Sequence, residues 1–150
     1  MKSDNDKLSQ IISEYDATIL YEPLKGEINP TNQTFPIKIH ASCLTLPNTS
    51  HDNPFNWAKK CTAIFKNAKT CILIPGTKFD TYGTRHGRGA GWYDRFLSNT
   101  PSAWLRVGIA DKTNFSSVKL VRQPWDEPVD WVVVRDGTKW TFYNTDASES

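Results

Sequence analysis

Five of the eight glycines in this 150-residue chain lie between Gly76 and Gly91, directly after the apolar run Cys71 to Ile74 and directly before Trp92 to Leu97. Glycine weakens strand and helix interiors, so such a cluster marks backbone that must adopt positive φ or admit a close neighbour. The stretch therefore predicts a strand, a glycine-rich loop and a helix, the unit from which α/β layer folds are built. A loop that feeds a helix N-terminus also suits an anion, because its free N–H groups and the helix dipole favour negative charge. Arg85 and Arg88 would add charge-assisted hydrogen bonds. The loop lacks the Gly-Lys-Ser/Thr of a Walker A motif, and Gly87 to Gly91 has the wrong spacing for a dinucleotide fingerprint. Spacing alone thus leaves two readings open, a polyphosphate site and a structural turn.

The rest of the chain supports alternation of strands and helices. Leu8 to Tyr15 reads as a short amphipathic helix, Ala17 to Tyr21 as a strand and Phe35 to Ala41 as a second strand. Trp57, Cys61, Ile64, Phe65 and Ala68 recur at helical spacing, which predicts a helix over 55–68 leading into the strand Cys71 to Ile74. Trp104 to Ala110, Val118 to Val121 and Trp131 to Val134 read as further strands, and Asp136-Gly137 predicts a hairpin at the C-terminal end. One α/β domain is expected over 1–143, followed by a polar tail over 144–150.

Composition removes several function classes. The 38% hydrophobic content suffices for a core, and no apolar run approaches the length of a membrane span. Eighteen basic against sixteen acidic residues is too slight a surplus to argue for nucleic acid. Three of the six arginines (Arg85, Arg88, Arg95) nevertheless fall around the glycine loop, a patch suited to one compact anion. Cys43, Cys61 and Cys71 form no C-x-x-C pair, so neither a zinc site nor a disulfide framework is indicated. The polar N-terminus has no apolar signal region, and a cytoplasmic setting is expected. His40, His51 and His86 share no metal-type spacing and read as incidental.

Four separated blocks, spanning roughly residues 17–134, carry a family resemblance. They are Tyr21 to Asn29, then Ile74-Pro75-Gly76 through Phe79-Asp80, Gly83, Arg85, Gly87-Arg88-Gly89 and Gly91 to Leu97, then Val107 to Ala110, and finally Pro124 to Val134. In this order they resemble the 5-formyltetrahydrofolate cyclo-ligase (methenyltetrahydrofolate synthetase) family. The resemblance implies an α/β fold of the NagB-RpiA-CoA-transferase-like kind: a layered mixed/parallel sheet, helices on both faces and a C-terminal β-hairpin. It also implies an activity, the ATP- and Mg²⁺-dependent conversion of 5-formyltetrahydrofolate to 5,10-methenyltetrahydrofolate with release of ADP and phosphate. In that reaction the formyl oxygen is activated as a phosphate ester before ring closure. Reduced folate and ATP are the implied partners; nucleic acid and membrane are not.

Residue by residue, the resemblance places ATP against Arg85, Gly87, Arg88, Gly89, Ala90, Gly91, Trp92 and Tyr93. Asp94 and Asp126 match the family's acidic positions for Mg²⁺, an ion typically held by one or two carboxylates with phosphate oxygens and water. Glu27 and Tyr93 match substrate-binding positions, and Glu27, Tyr93 and Arg88 are the implied catalytic groups. Read without the family, Asp94 is an ordinary first-turn helix acid and Glu27 a turn residue.

Some positions depart from the family pattern. Trp92 replaces a tyrosine, His86 a leucine, Lys78 a small or apolar residue, Trp125 a histidine and Glu127 an aliphatic residue, and no glutamine follows the Gly108 strand in residues 111–114. The resemblance also implies a further N-terminal helix that brings a lysine and an arginine to the ATP phosphates, and this sequence is expected to start beyond it. Two alternatives follow as expectations: a non-catalytic nucleotide- or folate-binding homologue, and a chain whose missing helix is supplied by self-association or a partner.

Overall fold

A computed structural model describes residues 4–48, 53–87 and 91–145. Six strands form one sheet in the order β2-β1-β3-β6-β7-β8, built from β1 (Ala17–Tyr21), β2 (Ser42–Leu46), β3 (Thr70–Ile74), β6 (Leu105–Asp111), β7 (Trp131–Asp136) and β8 (Lys139–Asn144). The first five run parallel and β8 is antiparallel to β7. β1 and β3 are buried along their whole length. Continuous apolar runs of this kind belong to parallel strands covered on both faces.

Helices supply that cover. Ile19, Ile72, Ile74, Val132 and Val134 pack on one face with Ala58, Cys61 and Phe65 from α2 (Pro54–Ile64) and its cap and with Phe96 and Leu97 from α3 (Trp92–Ser98). Leu20, Cys71, Leu73, Val107 and Val133 point to the other face, against Leu8 and Ile12 of α1 (Asp4–Ser13). The alternation along β3 and β7 is the period-2 pattern of a strand serving two cores. The layered architecture expected from the resemblance is therefore the one observed.

Local signals explain where elements begin and end. Asn53 caps α2 by accepting from the N–H groups of Phe55 (2.8 Å) and Asn56 (3.3 Å), with Pro54 in the first helical turn. α2 stops at Ile64, short of the expected Ala68, and turns fill the interval. The β7–β8 hairpin forms as expected, with Asp136 opposite Lys139 across the two-residue loop Gly137-Thr138. Gly137 has φ 62°, as the first position of a type II′ turn requires.

Two expected strands are absent. Phe35 to Ala41 is irregular: Pro36 lacks a ladder donor, and Phe35 and Ile37 anchor a loop over the α1 face, where the Phe35 ring meets Trp140 edge-on at 5.5 Å. The second strand is instead Ser42–Leu46 at the sheet edge. Val118 to Val121 is irregular and pairs with no strand, and Val118 and Val121 are 71% and 70% exposed.

The glycine-rich stretch also holds a small antiparallel pair, β4 (Lys78–Phe79) with β5 (Arg85–His86). Phe79 sits fully buried beside Gly76 and Gly108; a Cβ on Gly108 would lie 2.4 Å from its ring. Those two glycines are packing residues for one aromatic ring. No helix among the described residues is long and apolar enough to cross a membrane.

Candidate functional site

Strand order reverses between β1 and β3, since the chain proceeds from β1 outward to β2 and then returns to the other side of β1. In open α/β sheets ligands bind outside the carboxyl ends of the strands at such a switch point. A cavity of about 1040 Å³ lies there. Its walls come from the segments after β1 (Glu22, Glu27), after β2 (Pro47, Asn48) and after β3 (Pro75 to Lys78), from β5 and α3, and from residues 121–126. A side pocket of about 150 Å³ shares Glu27, Pro75, Gly76 and Thr77 and reaches Asp111 and Asn114 at the end of β6. Asn114 supplies a carboxamide there, and its Nδ2 donates to the Thr77 carbonyl at 3.0 Å.

Arg85 is the most constrained charge in the cavity. It is only 8% exposed, its Nε–H donates to the Pro75 carbonyl at 2.6 Å, and its guanidinium lies 4.8 Å from the Tyr93 ring centroid. Among the described residues, no hydrogen bond or ion pair engages its two terminal nitrogens. Burial pushes the guanidinium pKa down, while Tyr93, Asp94, Glu27 and Asp126 act in the opposite direction. Arginine stays cationic under such pressure, so the site holds a buried positive charge with donors to spare. A desolvated guanidinium of this kind is a strong receptor for a phosphate or carboxylate.

Gly87 is explained by the same group. A Cβ there would lie 2.9 Å from both terminal nitrogens of Arg85. The obstructed atoms are the far end of a side chain, so Gly87→Ala should displace the guanidinium and spare the fold. We expect anion affinity to fall about tenfold at an unchanged unfolding temperature, checked by phosphate or ATP titration beside a thermal melt. An unchanged affinity would show that the guanidinium does not touch the anion.

Tyr93 and Trp92 open α3 and line the cavity. The Trp92 ring stacks on Phe96 at 5.4 Å and meets Tyr93 at 5.0 Å, so the aromatic wall is fixed by the helix core. Burial pushes the Tyr93 hydroxyl well above its ordinary range, with Arg85 pulling the other way, and it remains protonated. Gly91 begins α3 with φ 67° and without a side-chain cap. Glu27 lines both pockets and also closes its own turn, its Oε1 accepting from the Leu24 N–H at 2.7 Å. The turn residue and the site residue are thus the same carboxylate. Arg88, Gly89 and Ala90 lie outside the described residues.

Asp94 and Asp126 reach the same cavity from α3 and from the segment before β7. Asp94 Oδ1 accepts from the Glu127 N–H at 3.0 Å, and Asp126 Oδ2 accepts from the Gln123 N–H at 2.8 Å. Among the described residues no hydrogen bond engages the other oxygen of either. No group of three or more His, Cys, Asp or Glu that could hold a metal ion occurs among them. Two carboxylates with one uncommitted oxygen each, beside a phosphate-suited arginine, fit an ion such as Mg²⁺ that takes its remaining ligands from phosphate and water.

Burial raises the Asp94 pKa most, and the charges of Asp126 and Glu127 raise it further against the Glu127 N–H bond and Arg85. A raised native pKa means stability present in acid and lost as pH rises through that value. Asp94→Asn keeps an oxygen for the Glu127 N–H and removes the charge, so its melting temperature should exceed wild type at neutral pH and lose that advantage on acidification. A variant less stable than wild type at neutral pH would mark Asp94 as a structural cap instead.

The segment 116–126 forms a strap over one side of the cavity, and its anchors are long-range. Asp80, 1% exposed, accepts from the N–H groups of Tyr82 and Thr84 (2.9 Å each) and, through its other oxygen, from Leu120 (2.7 Å). His86 Nε2–H donates to the Val121 carbonyl at 2.8 Å, and Arg122 reaches the Tyr82 carbonyl at 2.7 Å and the Thr84 hydroxyl at 3.1 Å. The strap carries Trp125, 67% exposed, at the cavity mouth. His86 is therefore an anchor and not incidental. His40 also has a structural role: its Nε2–H donates to the Ile12 carbonyl at 2.9 Å, which leaves Nδ1 to meet the Thr18 hydroxyl at 2.6 Å.

Fold and cleft together define an α/β protein with a cavity at a topological switch point. Comparison with known proteins narrows the class. The sequence pattern of the 5-formyltetrahydrofolate cyclo-ligase family matches residues 36–135. A 5-formyltetrahydrofolate cyclo-ligase of Mycoplasma pneumoniae is 30% identical over 116 residues, 76% of this chain and 70% of that protein. One of Mycoplasma genitalium is 36% identical over 63 residues, 42% of this chain and 37% of that protein.

Two solved structures share the fold. They are a 5,10-methenyltetrahydrofolate synthetase from Mycoplasma pneumoniae (TM-score 0.54, 22% identity, 85% of this chain and 80% of that one) and another from Aquifex aeolicus (TM-score 0.52, 24% identity, 93% and 80%). This chain belongs to the 5-formyltetrahydrofolate cyclo-ligase family, whose members are ATP-dependent ring-forming ligases.

Proposed function

We propose that this protein converts 5-formyltetrahydrofolate to 5,10-methenyltetrahydrofolate, using ATP and Mg²⁺, in the switch-point cavity. The observation that carries the reading is Arg85, a buried cation whose terminal nitrogens face no acceptor among the described residues, in a cavity that Gly87, Gly91, Asp94 and Asp126 also line. Arg85, the 87–91 loop with Arg88, Gly89 and Ala90, and the aromatic pair Trp92 and Tyr93 receive the nucleotide. Glu27 and Tyr93 hold the reduced folate with its formyl group toward the γ-phosphate. Asp94 and Asp126 hold Mg²⁺, which supplies charge neutralisation at the phosphate oxygens when bound.

The chemistry asks this site mainly for alignment and electrostatics. The formyl oxygen attacks the γ-phosphorus and ADP leaves; N10 then closes the ring on the formyl carbon, and phosphate departs with the formyl oxygen and the proton that N10 gives up. Arg85 stabilises charge that moves from the terminal phosphoryl group to the leaving groups, and burial keeps water from competing. Carrying the reaction out with ¹⁸O in the formyl group tests this sequence. The label should appear in inorganic phosphate, one atom per methenyl product, with ADP formed in equal amount. Label lost to water, or product formed without ADP, would refute it. Ligand-induced stabilisation with no ADP formed would instead identify a non-catalytic binding homologue.

A further inference from the structure

Arg106 stands on β6, outside the cavity, yet it bridges the two elements that carry Asp94 and Asp126. Its Nη1 donates to Glu127 Oε2 at 3.2 Å and to the Pro128 carbonyl at 3.3 Å, and its Nη2 donates to the Leu97 carbonyl in the last turn of α3 at 3.2 Å. The side chain is only 12% exposed and that of Glu127 28%, so this pair is partly shielded from solvent. The backbone is tied at the same place, since Arg106 N–H donates to Asp130 Oδ2 at 2.9 Å and Asp130 N–H to the Arg106 carbonyl at 2.8 Å. Glu127 in turn gives its own N–H to Asp94 Oδ1 at 3.0 Å.

We infer that Arg106, acting through Glu127, is a positioning residue that sets the separation of the Asp94 and Asp126 carboxylates; this rests on the proposed metal role of those two groups. Asp126 lies on an irregular segment with no sheet partner, and its like charge opposes that of Asp94. Something must hold the segment against α3 before a metal arrives. The Asp94 bond to Glu127 fixes the near end of α3, and the guanidinium fixes the far end, so the two ties together prevent the segment from swinging away. A planar guanidinium can serve three acceptors in one plane, which a lysine ammonium cannot do in the same geometry.

The test is a Mn²⁺ titration with the non-hydrolysable imido analogue of ATP, bound metal being read by enhanced water-proton relaxation, well below the unfolding temperature of each protein. Arg106→Gln should weaken the metal–nucleotide complex about tenfold and Glu127→Gln about threefold, and the double variant should be no weaker than Arg106→Gln alone. Arg106→Lys should recover part of the loss. Unchanged metal affinity in folded Arg106→Gln, with only a lower melting temperature, would overturn the inference, as would losses that multiply in the double variant. Should Arg106→Gln not fold, Glu127→Gln decides, and wild-type affinity there overturns it. Failure of folded wild type to bind the complex would overturn the metal assignment of Asp94 and Asp126 and this inference with it, whereas normal wild-type binding with unaffected variants overturns this inference alone.

Discussion

Arg85→Met is expected to lower the rate of methenyltetrahydrofolate formation by at least about a hundredfold while leaving the protein folded; arginines that meet the charge of a transferring phosphoryl group contribute 10³- to 10⁵-fold in comparable chemistry. Methionine retains much of the aliphatic stem that packs near Gly76 and keeps contact with Tyr93, so the core loses little volume. What it removes is a charge that burial disfavours, whose terminal nitrogens lack an acceptor among the described residues, together with one Nε–H bond to the Pro75 carbonyl. These two effects oppose each other, so the melting temperature should stay close to that of wild type as activity collapses. That contrast separates a functional cation from a structural one: a structural Arg85 would lose stability and rate together. A rate within a few-fold of wild type, measured by the near-ultraviolet absorbance of the product, would remove Arg85 from the mechanism.

Asp80→Ala should have the largest effect on stability. Three N–H groups, of Tyr82, Thr84 and Leu120, lose a carboxylate acceptor at once, in a position that is 1% exposed. Each orphaned buried donor costs about 1–3 kcal/mol, so a loss of roughly 3–5 kcal/mol is expected where water partly compensates. A domain of this size has only about 5–15 kcal/mol in total. Asp80→Asn separates the two ends of the interaction. The amide oxygen can keep Tyr82 and Thr84, but the amide nitrogen then faces the Leu120 N–H, donor against donor. Denaturant unfolding should place the asparagine variant between wild type and alanine, and hydrogen exchange should quicken at Leu120 and Val121 before it quickens at Thr84. Equal protection along the strap in Asp80→Asn would show that the Leu120 bond does not hold it.

These two residues also show what was legible in the sequence. Arg85 sat in a glycine cluster after an apolar run, a local pattern that chemistry alone could associate with an anion, and the structure places it in the cavity. The strands Ala17 to Tyr21 and Cys71 to Ile74 were equally plain, because fully buried parallel strands read as unbroken apolar runs. Gly87 was legible as a required glycine but not for its reason, which is contact with the Arg85 guanidinium.

Asp80 and the strap were not legible. Val118 to Val121 has the composition of a strand, yet it stands exposed and is held by side chains 35 to 40 residues away in sequence. No periodicity encodes pairings at that separation. Phe35 to Ala41 misled for a related reason: its apolar residues anchor a loop over α1, and Pro36 is the local sign that a ladder was not available. Glu127 could be noticed in the sequence only as a charge in an aliphatic position. Its partner Arg106 became apparent once β6 and the segment before β7 were side by side.

Formation of methenyltetrahydrofolate from 5-formyltetrahydrofolate, followed by near-ultraviolet absorbance on wild-type protein shown to be folded, decides whether the switch-point cavity is a ligase site. Turnover should require both ATP and a divalent cation and should fall at least about a hundredfold in Arg85→Met. Folded wild type that forms no product under those conditions, or forms it equally well without ATP, would refute the proposed activity.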